Sequence, residues 1–179
     1  MICGLAWRER PETPSGGVTL HDMKGLNGQL TRVARAEPDD AFRLAALEIA
    51  YNRELGRRTE EGFLERFTDA WLADRDRYPS WIASTLDGNP LGSCTIGLMR
   101  SLPRPGRIPR SWGHLTNLYV RPQARGLGLA VRLVEEALVW ADKSELLWVQ
   151  ARLPDDARDM AERRGFVSSG DRLWRRDHP

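Results

Sequence analysis

Two glycines one residue apart, Gly126 and Gly128, lie between an apolar run ending at Val120 and a helical pattern that follows. Arg121-Pro122 stops the run, because proline cannot continue a strand ladder. Small residues at the start of a helix let a ligand approach the backbone. The first N–H groups of a helix have no partner inside it, and together with the helix dipole they form an anion site. Strand, tight turn and helix N-terminus therefore predict a site for a phosphate-bearing ligand. Upstream, His114 and Asn117 stand in the same run. An imidazole titrates near pH 6.5 and can relay a proton, and a carboxamide can orient a substrate or a water. Alternation puts residues three apart on opposite faces of a strand, so at most one of these two faces an acceptor unless a bulge intervenes.

Other readings of the glycines fare worse. A dinucleotide fingerprint needs a third glycine or alanine where this chain has Val131, and no clear acidic residue ends the next strand. A plain tight turn remains the bland alternative.

Gln123-Ala124-Arg125-Gly126-Leu127-Gly128 resembles the Q/R-x-x-G-x-G/A motif of the GCN5-related N-acetyltransferases (GNAT), and it follows the Leu-Tyr-Val-Arg-Pro strand end usual there. A helix over 155–164 followed by Gly165-Phe166 resembles that family's closing G-F, and the likeness spans roughly residues 30 to 177. The resemblance implies that acetyl-CoA is the co-substrate, with its diphosphate on backbone N–H groups from Arg125, Gly126, Leu127, Gly128, Leu129 and Ala130. Gln123 would shape that loop, and Leu118, Tyr119 and Val120 would pair with the pantetheine arm through their backbone. It implies direct transfer of acetyl to a primary amine in a ternary complex. His114 and Asn117 are the candidate catalytic residues. A backbone N–H near Tyr119 or Val120 is the oxyanion donor, of a kind worth about 3 kcal/mol. One position departs from the family pattern: the tyrosine expected four residues before the glycine of G-F is Ala161, which cannot protonate a thiolate. The thiolate then leaves unassisted or through water, or else the protein is an inactive acyl-CoA-binding or regulatory relative.

The elements that must position these groups read as follows. Leu30–Ala36 alternates as a first strand, and Glu37-Pro38-Asp39-Asp40 opens a helix carrying Phe42, Ala45, Ala46, Ile49 and Arg53 at helical spacing. Thr59 is the expected cap of a second helix with Phe63, Phe67, Ala70 and Trp71 on one face. Tyr51 and Trp71 are the members of these helices most apt to show an edge to substrate. Trp81–Leu86 and Leu91–Met99 form a hairpin around Asp87-Gly88-Asn89-Pro90. A proline-rich loop with Arg100, Arg104, Arg107 and Arg110 leads to the central strand, Trp112–Val120. A broad apolar helix from Leu127 to Ala141, a strand over Glu145–Gln150, the closing helix, and short strands at 166–168 and 172–175 complete the order. The expectation is an α/β fold: a mixed, mostly antiparallel sheet of about seven strands flanked by helices, with a splayed central strand pair as the resemblance implies. Residues 1–29, rich in proline and glycine, read as a mobile extension, and 30–177 as one acetyltransferase domain.

Composition excludes other classes. The chain has 179 residues, 41% of them hydrophobic, which suits one domain with a core. Its 27 basic and 25 acidic residues leave a net charge of +2, which argues against a nucleic-acid partner, and the arginine loop is too poor in aromatics to supply one. No apolar run reaches membrane-span length, so no membrane partner is expected. Cys3 and Cys94 form no ligand spacing, and no acidic loop pattern suggests a metal. Free thiols and no signal-peptide core predict a cytoplasmic protein. The expected partner is a small-molecule or peptide amine, with a homodimer possible.

Overall fold

The computed structural model describes residues 30–152 and 158–167. The strands expected at 166–168 and 172–175 lie mostly outside this range, and the part of the first that is described, Phe166 and Val167, is not strand. Among the described residues the sheet has five strands rather than about seven. They run in order β1 (Thr31–Arg35), β2 (Ser80–Thr85), β3 (Pro90–Arg100), β4 (Ser111–Val120) and β5 (Leu146–Ala151). The first three junctions are antiparallel and β4 pairs with β5 in parallel, so the sheet is mixed and mostly antiparallel. The parallel step follows from the intervening helix, since a crossover returns the chain to the same end of the sheet. The expected extension, residues 1–29, falls outside the described residues.

Helices cover the two faces unequally. On one face lie α1 (Ala41–Glu54), entered through a 3-10 turn at Pro38–Asp40, and α2 (Phe63–Ala73). On the other lies α3 (Leu129–Asp142), with α4 (Arg158–Glu162) held beside it by Arg164 Nη2 donating to Glu135 Oε1 at 2.6 Å. The larger core lies under α3: Trp81, Cys94, Ile96, Leu115 and Val120 from the sheet meet Leu129, Leu133, Val134 and Ala137. The smaller joins Leu44, Leu47 and Trp71 to Ile82 and Tyr119.

Two helix readings need correction. The buried stripe of α1 is Ala41, Leu44, Ala45 and Leu47, whereas Phe42 is 55% exposed. Thr59 does not cap α2. The helix starts at Phe63 because Gly62 takes a left-handed φ of 70°, and Arg66 binds the Glu61 carbonyl and the Glu60 carboxylate, each at 2.8 Å. Within α2, Thr68 and Trp71 are buried and Ala70 is exposed. The β2–β3 turn forms as its residues dictate, with Gly88 at φ 90° and the Asn89 amide on Asp87 Oδ2 at 2.8 Å. Gly165, at φ 79°, ends α4 by letting the Phe166 N–H reach the Ala161 carbonyl at 3.1 Å.

Candidate active site

The central strand changes character at Asn117. Register runs Thr95↔Thr116 and then Ser93↔Tyr119, so Cys94 faces two residues of β4. Asn117 takes the bulge, with φ 51°, a conformation that asparagine tolerates better than most side chains. Before the bulge, Leu115 points into the α3 core. Its neighbours His114 and Thr116 therefore face the α1–α2 side. Thr95, opposite Thr116, shares that face, its hydroxyl 2.8 Å from Ser80 Oγ, which in turn accepts from Trp71 Nε1 at 3.1 Å. Beyond the bulge the alternation is inverted. Tyr119 joins the α1–α2 core, its ring 5.4 Å from that of Tyr51, and Val120 returns to the α3 core. The extra residue thus brings Tyr119 to the face that His114 already occupies. Asn117 itself is exposed at the bulge.

Beyond Leu115 the β4–β5 ladder stops, at Leu115↔Ala151. Along Thr116–Val120 only β3 pairs with β4 among the described residues. The backbone on the other edge is therefore open to a further extended chain.

The glycine loop continues from this open edge. Pro122–Ala124 forms a 3-10 turn with Gln123 exposed and Ala124 buried. Gly126 and Gly128 both have left-handed φ values, 77° and 70°, and a Cβ on either would meet nothing within 4 Å. Gly128 is the N-cap of α3. Among the described residues no atom accepts from the N–H groups of residues 126–131, and the first helical donation is Arg132 N–H to the Gly128 carbonyl at 3.1 Å. Leu129 is buried, Leu127 and Ala130 pack against the α3 core, and the backbone donors stay at the surface. Left-handed glycines, free N–H groups and a helix N-terminus with room beside it have the character of an anion site.

Two acidic residues that sequence reasoning missed lie on α1. Glu54 receives Arg125 Nη2 at 2.6 and 2.8 Å on its two carboxylate oxygens, while Arg125 Nε donates to the Val120 carbonyl at 3.1 Å. Arg125 thereby ties the end of β4 and the loop to the last turn of α1. Burial pushes the Tyr119 hydroxyl above its ordinary pKa, and the Glu54 carboxylate beside it pushes the same way. Glu48 sits one turn after Leu44. Burial pushes its carboxyl upward against the opposing hydrogen bond from Asn52 Nδ2, at 3.2 Å. The signal that would have found Glu48 is its spacing from Leu44 and Tyr51 on the stripe facing the sheet. Glu54 had no such signal, because its partner is 71 residues away.

His114 is hydrogen-bonded through Nδ1 to the Gln150 carboxamide nitrogen at 3.0 Å, across the β4–β5 pair. A carboxamide serves either tautomer of the ring. When its NH2 donates to Nδ1, the imidazole carries its proton at Nε2. With the amide turned over, its oxygen accepts from Nδ1–H and Nε2 is free to take a proton. Of the residues expected to show an edge to substrate, Trp71 is core, with its indole N–H bound to the Tyr78 carbonyl and Ser80. Ala161 is buried and carries no acid. Among the described residues no cluster of three or more His, Cys, Asp or Glu is placed to hold a metal ion, and no helix is long and apolar enough to cross a membrane.

This fold is that of the acyl-CoA-dependent transferases. The model of the acetyltransferase (GNAT) family matches residues 44–166, most of the chain, and the protein belongs to that family. It is an acetyltransferase whose co-substrate is acetyl-CoA. A comparison with curated proteins found no match. Among solved structures, a predicted acetyltransferase from Clostridium acetobutylicum, solved with acetyl-CoA, is similar, with TM-score 0.66 and 16% identity over 82% of this chain and 96% of that one. So is glucosamine-6-phosphate N-acetyltransferase from Arabidopsis thaliana, with TM-score 0.65 and 14% identity over 83% and 99%. A GCN5-related N-acetyltransferase from Ralstonia eutropha gives TM-score 0.61 and 20% identity over 81% and 97%. At these identities the likeness is one of fold.

Proposed function

We propose that the protein transfers acetyl from acetyl-CoA to a primary amine by direct attack in a ternary complex. The observation that carries this reading is the cradle of free N–H groups at residues 126–131, contiguous with the open edge of β4. The diphosphate sits on the backbone N–H groups of residues 126–130, the expected Arg125 N–H being held instead by the Pro122 carbonyl at 3.2 Å, and the pantetheine arm pairs with Leu118, Tyr119 and Val120 as an added strand would. That alignment brings the thioester to the bulge, on the face where His114 lies.

His114, with the Gln150 amide turned to accept from Nδ1–H, takes a proton from the acceptor ammonium at Nε2, directly or through a water. The neutral amine nitrogen attacks the thioester carbonyl carbon. A backbone N–H near Tyr119 or Val120 stabilises the oxyanion. Collapse breaks the C–S bond and releases CoA thiolate, and the nitrogen gives its second proton to water or to the departing thiolate, leaving the neutral amide. Ala161 offers no acid, so the thiolate departs as such or takes its proton from water, which the pKa of a thiol, about 8.5, permits. Asn117, exposed at the bulge, orients the acceptor or a water.

The missing acid also favours a second reading, that of an acyl-CoA-binding protein without turnover. Thermal unfolding with saturating acetyl-CoA, with NAD as control, followed by an amine screen for thiol release, tests both. Ligand at 100 times its Kd adds about 2.7 kcal/mol, a readily measured shift. A shift with acetyl-CoA alone and thiol release supports the transferase. A shift with no release under any amine supports the binding protein. No shift removes both.

A further inference from the structure

The α1–α2 helices cover the Tyr119 end of β4, whereas the part of that face carrying Trp112 and Trp148 is not packed into either core among the described residues, and its side chains are unusual. Trp112 and Trp148 stack there with ring centroids 5.7 Å apart and an interplanar angle of 23°. Trp148 is 50% exposed. Two irregularities put them together. Gly113 faces the α3 side against Val149 and Leu146, so Trp112 faces the other way, as His114 does. Between Ser111↔Leu146 and Gly113↔Val149, β5 spends one residue more than β4, and the extra residue brings Trp148 beside Trp112. The next same-face pair along the strands is His114↔Gln150. Two residues of strand separate the pairs, about 7 Å. Opposite His114, β3 carries Gly97, and the Tyr78 ring lies over it, 3.7 Å from where a Cβ would stand, so a third aromatic borders the imidazole.

Exposed stacked indoles present a flat apolar surface that prefers an offset or edge-on ring. The neighbour of Trp112 across the β3–β4 pair is Met99, 44% exposed, and the nearby Arg77, over the Tyr78 ring at 5.8 Å, is paired with Asp74 at 3.7 Å. The surface at the indoles is apolar and aromatic, which favours a neutral planar ring there. We infer that Trp112 and Trp148 form the acceptor-recognition subsite, taking the planar ring of an arylalkylamine whose amine reaches His114 through a short alkyl linker. The inference rests on the acetyltransferase reading for the place of the amine. It goes beyond that reading in naming the substrate class.

The test separates binding from turnover. A complex of the full chain with desulfo-CoA, which lacks the thioester, is titrated calorimetrically with 2-phenylethylamine and with n-butylamine, as wild type, Trp148→Ala and Trp148→Phe. The aryl amine is expected to bind about tenfold more tightly than the alkyl amine, with the preference lost in Trp148→Ala and kept in Trp148→Phe. Thermal stabilisation by acetyl-CoA in each variant confirms that the cofactor side is intact. Equal binding of the two amines by wild type, or a preference that survives Trp148→Ala, overturns the subsite. So does a variant that loses self-association while keeping its amine preference, since that assigns the indoles to a dimer face. Aryl preference in binding with no thiol release from acetyl-CoA sustains the subsite and removes the transferase reading instead.

Discussion

Up to Leu115, β4 is paired on both edges, with β3 and with β5. Its backbone is consumed by the sheet, and only side chains are left to meet a ligand: Trp112, His114 and, across the pair, Trp148 and Gln150. From Asn117 onward β4 is paired on one edge, and the loop that follows carries free N–H groups on left-handed glycines. There, on the proposed reading, the backbone is the binding surface and the side chains pack or brace. One strand therefore supplies two kinds of recognition. The backbone half suits a co-substrate that is always the same. The side-chain half can be changed residue by residue to suit the acceptor.

The sharpest way to break this division is to put a side chain on the backbone half. Gly128→Glu has room for its Cβ in the free protein, so the fold should persist, at a cost of roughly 1–2 kcal/mol for the left-handed φ of 70°. The carboxylate would repel a diphosphate and obstruct the N–H groups. Stabilisation by acetyl-CoA in thermal unfolding should vanish, and retention of the wild-type shift would place the diphosphate elsewhere. On the side-chain half, His114→Ala should lower kcat by about 10²-fold or more while acetyl-CoA still stabilises the fold. An unchanged kcat across the pH range would remove His114 from catalysis and leave the cradle untouched.

The same division explains what could be read from the sequence. A backbone site needs residue types that permit its conformation, so the left-handed turn at Gly126 and Gly128 and the end of β4 before Pro122 were legible. A side-chain site needs contacts between distant residues. Gln150 on His114 and Glu54 on Arg125 are joined by register and helix docking, which no local pattern encodes. The bulge at Asn117 shows the same limit: alternation set the question of which residues share a face, and only the pairing of Cys94 against two residues answered it. Helices with strong apolar stripes were legible, as in α3. In α1 alanines and a carboxyl interrupt the stripe, and the face was read with Phe42 in error. The start of α2 was misplaced because a left-handed glycine outweighed a good capping residue at Thr59.

A smaller effect lies at the seam between the halves. Glu54→Gln removes the charge that holds Arg125, and both side chains are substantially exposed, 35% and 51%, so stability should change by less than about 1 kcal/mol. If the clamp pre-sets the loop, KM for acetyl-CoA should rise several-fold, with kcat nearly unchanged. An equal fall in kcat with no change in KM would mean that Glu54 acts on the acceptor side instead.

The weakest effect should come from Glu48, which is half-buried on α1 and whose carboxylate accepts from Asn52 Nδ2 at 3.2 Å. Burial raises its carboxyl pKa above 4.5, so the folded chain holds the proton more tightly than the unfolded one. The folded state is then favoured most at pH below the unfolded value, and this advantage is lost as pH rises through the folded value. At pH 7 the ionised, half-buried carboxylate is a net cost. Glu48→Gln keeps a carboxamide beside Asn52 and removes the charge, so it should raise stability at pH 7 by less than about 1 kcal/mol and make no difference near pH 3. Denaturant midpoints of the two proteins at both pH values check the sign. A variant less stable at pH 7 would mean that the Glu48 carboxylate meets a cation in the folded protein, and a carboxylate so engaged would belong to the side-chain half of the site.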